Sequence, residues 1–333
     1  MTLCRKRSPR GPLLRGLRIA TRILVLVVAA GLGMLVVGLG ILLVPVIPDP
    51  APGFSERRGD IAEARITATE DLRGAILQEV TLVSDSGLEV ELSVRVPRET
   101  TSPAPLVLLL AGQRTGRNAA RYAADSRGVV VAALSYPYRR DPDAGTFAMV
   151  MDLPDIQRGV LDTPPAILLA TEWLIRQPYV DADRVELAGG SLGAFFTPVA
   201  GAMEPRFRRV WLIHGAGDPG AVLDHGLREH VPLAPLRALL SRLLATVAAG
   251  HHLAPEKWVG RIAPREVIVI SARDDESMPG ESVRVLHEAL GEPSEIIWME
   301  GGHVLPRREE IIERLTDLVF SRVAAGEPAP GRP

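Results

Sequence analysis

The sequence predicts an α/β domain with a largely parallel sheet, preceded by one transmembrane helix. Two observations carry this. Residues 23–44 are 22 consecutive Ile, Leu, Val, Ala, Gly and Met residues with no charge or strong polar group. After them, roughly 280 residues alternate strand-like and helix-like segments, as parallel sheets with crossover helices do. The apolar fraction of 47% and charged fraction of 23% exclude wholesale disorder and a collagen-like fibre.

A 22-residue helix is about 33 Å long, enough to cross a hydrocarbon core of about 30 Å. A cleaved signal peptide usually has a shorter apolar region ending in a small-x-small site. Here the run ends in Val-Pro-Val-Ile-Pro-Asp-Pro, which offers none. Arg5, Lys6, Arg7, Arg10, Arg15, Arg18 and Arg22 precede the run, and the next basic residue is Arg57. Basic flanks stay on the cytoplasmic side. Residues 1–22 are therefore expected inside, 23–44 in the cytoplasmic membrane and the rest outside. Residues 45–74 read as a linker, opening with a stiff Pro-rich spacer over 48–53.

The formal charge of −2 hides an asymmetry, because without those seven residues 31 basic face 40 acidic ones, a net −9. An acidic body lacks the basic surface that phosphate contact needs, so no nucleic-acid partner is expected. The one cysteine, Cys4, excludes an internal disulfide and a cysteine zinc site. Cysteine-free outer residues suit an oxidising compartment.

Within the expected domain, 75–325, residues 79–84 and 89–96 read as a hairpin around Asp85-Ser86-Gly87. Short apolar runs at 105–110, 128–134, 184–188, 209–214, 266–271 and 295–299 read as strands covered on both faces. Residues 118–125, 165–176, 192–203, 234–249, 281–290 and 308–323 read as helices, and 326–333 as a disordered tail. In 234–249, Leu236, Leu239, Leu240, Leu243, Leu244 and Val247 form one apolar face. That face predicts a helix packed on the sheet, or else a cap over the site or a helix touching lipid.

Gly189-Gly190-Ser191-Leu192-Gly193 matches G-x-S-x-G. In a chain with 31 glycines the pattern alone says little; its setting says more. It joins a predicted strand directly to a predicted helix, and so tight a turn needs Gly189 and Gly193 flanking the serine. Such a turn lifts the hydroxyl above the carboxyl edge of the sheet. Pro198 is expected to kink the following helix or end it early.

A serine hydroxyl needs a base and an orienting carboxylate to become a nucleophile. Of the seven histidines, only His303 sits on a loop after a late strand, within Glu300-Gly-Gly-His-Val-Leu-Pro306. His214 comes too early and reads as a pocket or core residue, and His287 as surface or packing. His225, His230, His251 and His252 lack the H-E-x-x-H spacing, so no metal is expected. Asp274 and Asp275 follow one strand and Asp218 another, and position alone leaves all three open as the acid. The oxyanion donors would be the backbone N–H of Leu192 and, in the loop Ala111-Gly112-Gln113, that of Gln113.

These signals resemble the α/β-hydrolase family over roughly 75–325, nearest its dienelactone hydrolase, acyl-hydrolase and prolyl-oligopeptidase-like esterases. The resemblance rests on Asp181-Ala-Asp-Arg-Val185, Gly189-Gly-Ser-Leu-Gly-Ala194, Ile262-Ala-Pro-Arg running to Asp275 and Pro279, and Gly301-Gly-His303. It implies an eight-stranded, mostly parallel sheet with helices on both faces, no cofactor, and Asp275 as the acid. Two positions depart from it. The family's frequent His-Gly is Ala111-Gly112 here, and the second proline of P-R-P is Glu266. The function expected is a membrane-anchored serine hydrolase, an esterase acting on a small-molecule or lipid ester through Ser191, His303 and Asp275. The alternatives are a peptidase or transacylase with the same triad, or a catalytically silent binding protein.

Overall fold

The computed structural model describes residues 25–28, 30–33, 50–99, 103–112, 115–123, 125–138 and 153–326. The chain divides into two compact units, Met1–Pro48 and Asp49–Pro333. In the first, residues 25–28 and 30–33 are helical with exposed side chains, and the rest of the expected anchor lies outside the described residues. Among the described residues no helix is long and apolar enough to cross a membrane.

The second unit is built on nine described strands, in the order β1-β2-β3-β5-β4-β6-β7-β8-β9. They are β1 Ile61–Leu72, β2 Ala75–Ser84, β3 Glu89–Pro97, β4 Ala104–Leu110, β5 Val130–Leu134, β6 Val180–Gly190, β7 Phe207–Ile213, β8 Glu266–Ala272 and β9 Ser294–Met299. The first three and β5 pair antiparallel, and the pairs from β5 through β9 are parallel. Every residue of β5 and β8 is buried, as strands covered on both faces must be.

Around the sheet lie α1 Ala51–Arg58, α2 Ala119–Tyr122, α3 Leu153–Leu174, α4 Thr197–Met203, α5 Pro219–Gly226, α6 Ala234–Val247, α7 Pro255–Trp258, α8 Gly280–Glu288 and α9 Glu309–Ala325. One core layer holds Leu106, Leu108, Ile167, Leu187 and Val199, and contains residues of α3 and α4. Another packs Val107, Trp211, Ile268 and Ile270 with Leu315 and Val319 of α9.

The sheet has nine strands where eight were expected, because β1 was hidden in the predicted linker. Its sequence, Ile-Ala-Glu-Ala-Arg-Ile-Thr-Ala-Thr-Glu-Asp-Leu, shows no buried alternation, and its ten central residues are exposed. It is an edge strand, and charged residues guard such edges against pairing with other chains. The spacer expected over 48–53 also stops early: α1 begins at Ala51 with proline in its first turn, where proline is tolerated. Phe54 of this helix is 2% exposed, its ring 6.2 Å from that of Trp258. Glu266 has a structural reason as well. It accepts a 2.5 Å hydrogen bond from buried Arg209, which also pairs with Glu186.

Candidate active site

Three loops meet at the carboxyl edge of the parallel strands. β6 runs into a 3-10 turn, Ser191–Phe195, and α4 follows. The helix expected over 192–203 is thus divided, and Pro198 falls in the first turn of α4, where it breaks no bond. Ser191 has φ of 54°, a left-handed conformation that costs a residue with a side chain about 1–3 kcal/mol. Such strain is characteristic of a serine on this kind of elbow. A side chain at Gly193 would collide with the Leu110 carbonyl, and one at Gly189 would meet Thr197 and, at 2.7 Å, the Gly193 carbonyl. Gly193→Ala is therefore expected to cost at least about 1–3 kcal/mol in thermal unfolding, since the elbow has no room to relax against backbone.

The loop after β9 carries His303, and the loop after β8 carries Asp275. His303 Nε2 lies 2.7 Å from Ser191 Oγ, and His303 Nδ1 lies 2.9 Å from Asp275 Oδ2. Both partners are shielded, with side chains 3% and 6% exposed. The backbone N–H groups of Ser277 and Met278 donate to Asp275 Oδ1. Burial works against the Asp275 charge, but the hydrogen bond and charge of His303 and these two N–H groups hold its carboxyl below the usual range.

The rival carboxylates go elsewhere. Asp218 caps α5, its side chain accepting from the Ala221 N–H. Asp274 is exposed beside Asp275 and donates its N–H to the Gly301 carbonyl. Leu192 directly follows Ser191 in the 3-10 turn. Gln113 lies outside the described residues. Its neighbour Gly112 is placed against the serine, since a Cβ there would sit 3.9 Å from Ser191 Cβ. Tyr136 Oη donates to the Ala111 carbonyl at 2.5 Å and pins that loop.

Two supports were not foreseen. Glu276 accepts from the His303 N–H at 3.1 Å and pairs with Arg308, which also donates to the His303 carbonyl. The only sequence signal for this clamp was the acidic run Asp274-Asp275-Glu276. His214, 2% exposed, accepts at Nδ1 from the Val304 N–H at 2.9 Å, so its proton resides on Nε2. Burial first, then the neighbouring His303 charge, pushes its pKa down to about 4. It therefore stays neutral and does not compete for Asp275. Donor atoms of His214, Asp275 and His303 lie within 4.8 Å of one another, a spacing that a metal ion also accepts. However, His303 and Asp275 are engaged with each other, and His214 Nδ1 with Val304. His287 packs edge-on against Trp298 and bonds Ser271, in line with its packing role.

Beside Ser191 opens a cavity of about 130 Å³, walled by Leu109, Ile213, Val304, Leu305, Ile312 and Leu315. It shares Tyr122, Pro306, Ile312 and Thr316 with a groove of about 570 Å³ that carries Asp125, Glu309, Glu310, Glu313 and Asp317.

Solved structures of similar architecture are esterases in several cases. Acetyl xylan esterase 1 from Thermoanaerobacterium sp. JW/SL YS485 superposes with a TM-score of 0.55 and 18% identity, over 82% of this chain and 94% of that one. The acetyl xylan esterase from Paenibacillus sp. R4 gives 0.56 and 16%, over 80% and 92%. A cold-adapted esterase from an Arctic intertidal metagenomic library gives 0.55 and 16%, over 77% and 97%. The fold is that of the α/β-hydrolases. No family model and no curated protein matches the sequence.

Proposed function

We propose that this α/β-hydrolase-fold protein is a carboxylic-ester hydrolase working through an acyl-enzyme on Ser191. The observation that carries the reading is the hydrogen-bonded chain Asp275–His303–Ser191, ending on a serine held in left-handed backbone. Ser191 Oγ attacks the ester carbonyl as its proton passes to His303 Nε2, and the imidazolium returns that proton to the leaving alcohol. Water then enters, loses a proton to the same nitrogen, and releases the acid. Asp275 holds the tautomer and stabilises the imidazolium. The N–H groups of Leu192 and Gln113 are assigned to the developing oxyanion. The esterase activity named for the structural neighbours supports this reaction class.

The cavity supports a short acyl group. An apolar cavity of about 150 Å³ takes one benzene, so one of about 130 Å³ suits an acyl chain of about two to four carbons. The acidic groove next to it favours neutral or cationic esters over anionic ones. With p-nitrophenyl esters of graded length, kcat/KM is expected to peak at acetyl to butyryl and fall beyond. Flat, negligible turnover across the series would instead favour a silent scaffold.

Residues 23–44 are proposed as a single-pass anchor in the cytoplasmic membrane, with the catalytic unit outside. The uninterrupted apolar run and the seven basic residues before it support this topology. A C-terminal alkaline phosphatase fusion to the full chain is expected to be active. An inactive fusion beside a bright cytoplasmic reporter would reverse the topology.

A further inference from the structure

The loop that carries the base needs an anchor beyond its own backbone. Two glycines precede His303, Gly301 at φ of 108° and Gly302, so the chain on that side constrains it weakly. On the other side, the peptide unit joining His303 to Val304 is held at both ends. Its carbonyl accepts from Arg308 Nη1 at 2.8 Å, and its N–H donates to His214 Nδ1 at 2.9 Å. A peptide unit is planar, so bonds at opposite ends fix its rotation. That rotation sets the direction in which the His303 side chain leaves the backbone. The two holds differ in stiffness. Arg308 is a long side chain, 31% exposed, whereas His214 is 2% exposed and directly follows β7. That strand lies between β6, which leads to Ser191, and β8, which leads to Asp275. The His214 N–H itself bonds the Ile270 carbonyl of β8 at 2.7 Å. His214 thus ties the loop after β9 to the strands that set the nucleophile and the acid.

A histidine is a costly residue to bury at this point. Its Nε2 has no hydrogen-bond partner among the described residues, and its φ of 49° is left-handed. A buried N–H without a partner lowers stability, and a leucine of similar size would carry none. Left-handed backbone outside glycine is uncommon and gathers at functional sites. Packing therefore gives no reason for an imidazole here, and the bond to Val304 does. The ring also lies beside the base, 5.7 Å from that of His303 between centroids. We propose that His214 is a positioning residue for the base: it holds the Val304 N–H from the sheet, keeps His303 Nε2 within reach of Ser191, and serves turnover rather than stability. The proposal rests on the hydrolase reading above.

The test compares the full wild-type chain with His214→Leu and His214→Asn. Leucine fills the site without an acceptor. Asparagine places Oδ1 where Nδ1 stood, and it tolerates left-handed backbone. With p-nitrophenyl acetate, His214→Leu is expected to lower kcat about 10²-fold, the loss that a misplacement of about 1 Å brings. KM should stay within about threefold, because Leu109, Ile213 and Leu315 still wall the cavity. His214→Asn is expected to recover most of the loss. The unfolding midpoint of His214→Leu should lie within about 4 °C of wild type. An N–H orphaned at Val304 there replaces the one removed at Nε2. Near-wild-type kcat in His214→Leu overturns the proposal, as does an asparagine variant no better than leucine. A loss confined to KM, or a leucine variant that fails to fold, overturns it too. Absent turnover in wild type would count against the hydrolase reading instead. His214 is then judged by the low-field proton resonance of the His303–Asp275 hydrogen bond, expected in wild type and His214→Asn and displaced in His214→Leu. Its absence from wild type, or an unmoved resonance in His214→Leu, overturns the positioning role.

Discussion

Ser191→Ala, and separately His303→Ala, is expected to lower kcat toward a p-nitrophenyl ester by about 10⁶-fold, with the double variant little worse than either alone. Nucleophile and base act as one unit, because the hydroxyl attacks only as its proton leaves for Nε2, 2.7 Å away. Removing either end stops the same proton transfer. KM is expected to change much less, since the apolar walls of the cavity, Leu109, Ile213, Leu305 and Leu315 among them, remain in place. The Ser191→Ala protein should stay within about 1.5 kcal/mol of wild type in stability, because alanine keeps a Cβ at the same φ of 54° and the change removes one hydrogen bond, that to His303. Steady-state kinetics and thermal unfolding on the same preparations check both statements. Losses of less than about tenfold would remove Ser191 from the chemistry.

The second large effect belongs to the carboxylate. Asp275→Asn is expected to lower kcat by about 10⁴-fold with little change in fold. The amide keeps an acceptor for the Ser277 and Met278 N–H groups, so the loop holds its shape. It fails to stabilise the imidazolium and favours the tautomer with Nε2 protonated, which is the wrong one for accepting from Ser191. Asp218→Asn and Asp274→Asn are each expected to cost under about tenfold in kcat, because one caps α5 and the other faces solvent. A near-wild-type Asp275→Asn beside a collapsed Asp218→Asn would move the acid to the loop after β7.

Much of this site was legible in the sequence because its logic is local. Gly189 and Gly193 announce a turn with no room for side chains, and His303 follows a late strand within a Gly-Gly-His run. The choice among Asp274, Asp275 and Asp218 was not local. It required the resemblance, and the geometry then joined Asp275 to His303. What escaped depends on contacts between distant segments. The Glu276–Arg308 clamp on the His303 backbone closes across 32 residues, and the His214 bond to Val304 across 90. No spacing rule encodes either. In the fold, β1 was hidden because an exposed edge strand carries no buried alternation, and its pairing with β2 comes from backbone. The leucines of α6 read as packed on the sheet, with a cap or a lipid contact left open, and Leu236, Leu239 and Leu243 are exposed. Helical period says that one face is apolar but not which surface that face meets.

The most direct test of the central claim is covalent. Folded wild-type protein is treated with a fluorophosphonate probe, digested with trypsin and analysed by mass. The peptide to watch spans residues 185–206, between Arg184 and Arg206, and contains one serine, Ser191. A hydroxyl activated by His303 and Asp275 is expected to take the label on that peptide stoichiometrically. Ser191→Ala should take none, and Asp275→Asn should label far more slowly. Folded wild-type protein that stays unlabelled, or a label on another peptide that survives Ser191→Ala, would contradict the assignment of Ser191 as the nucleophile.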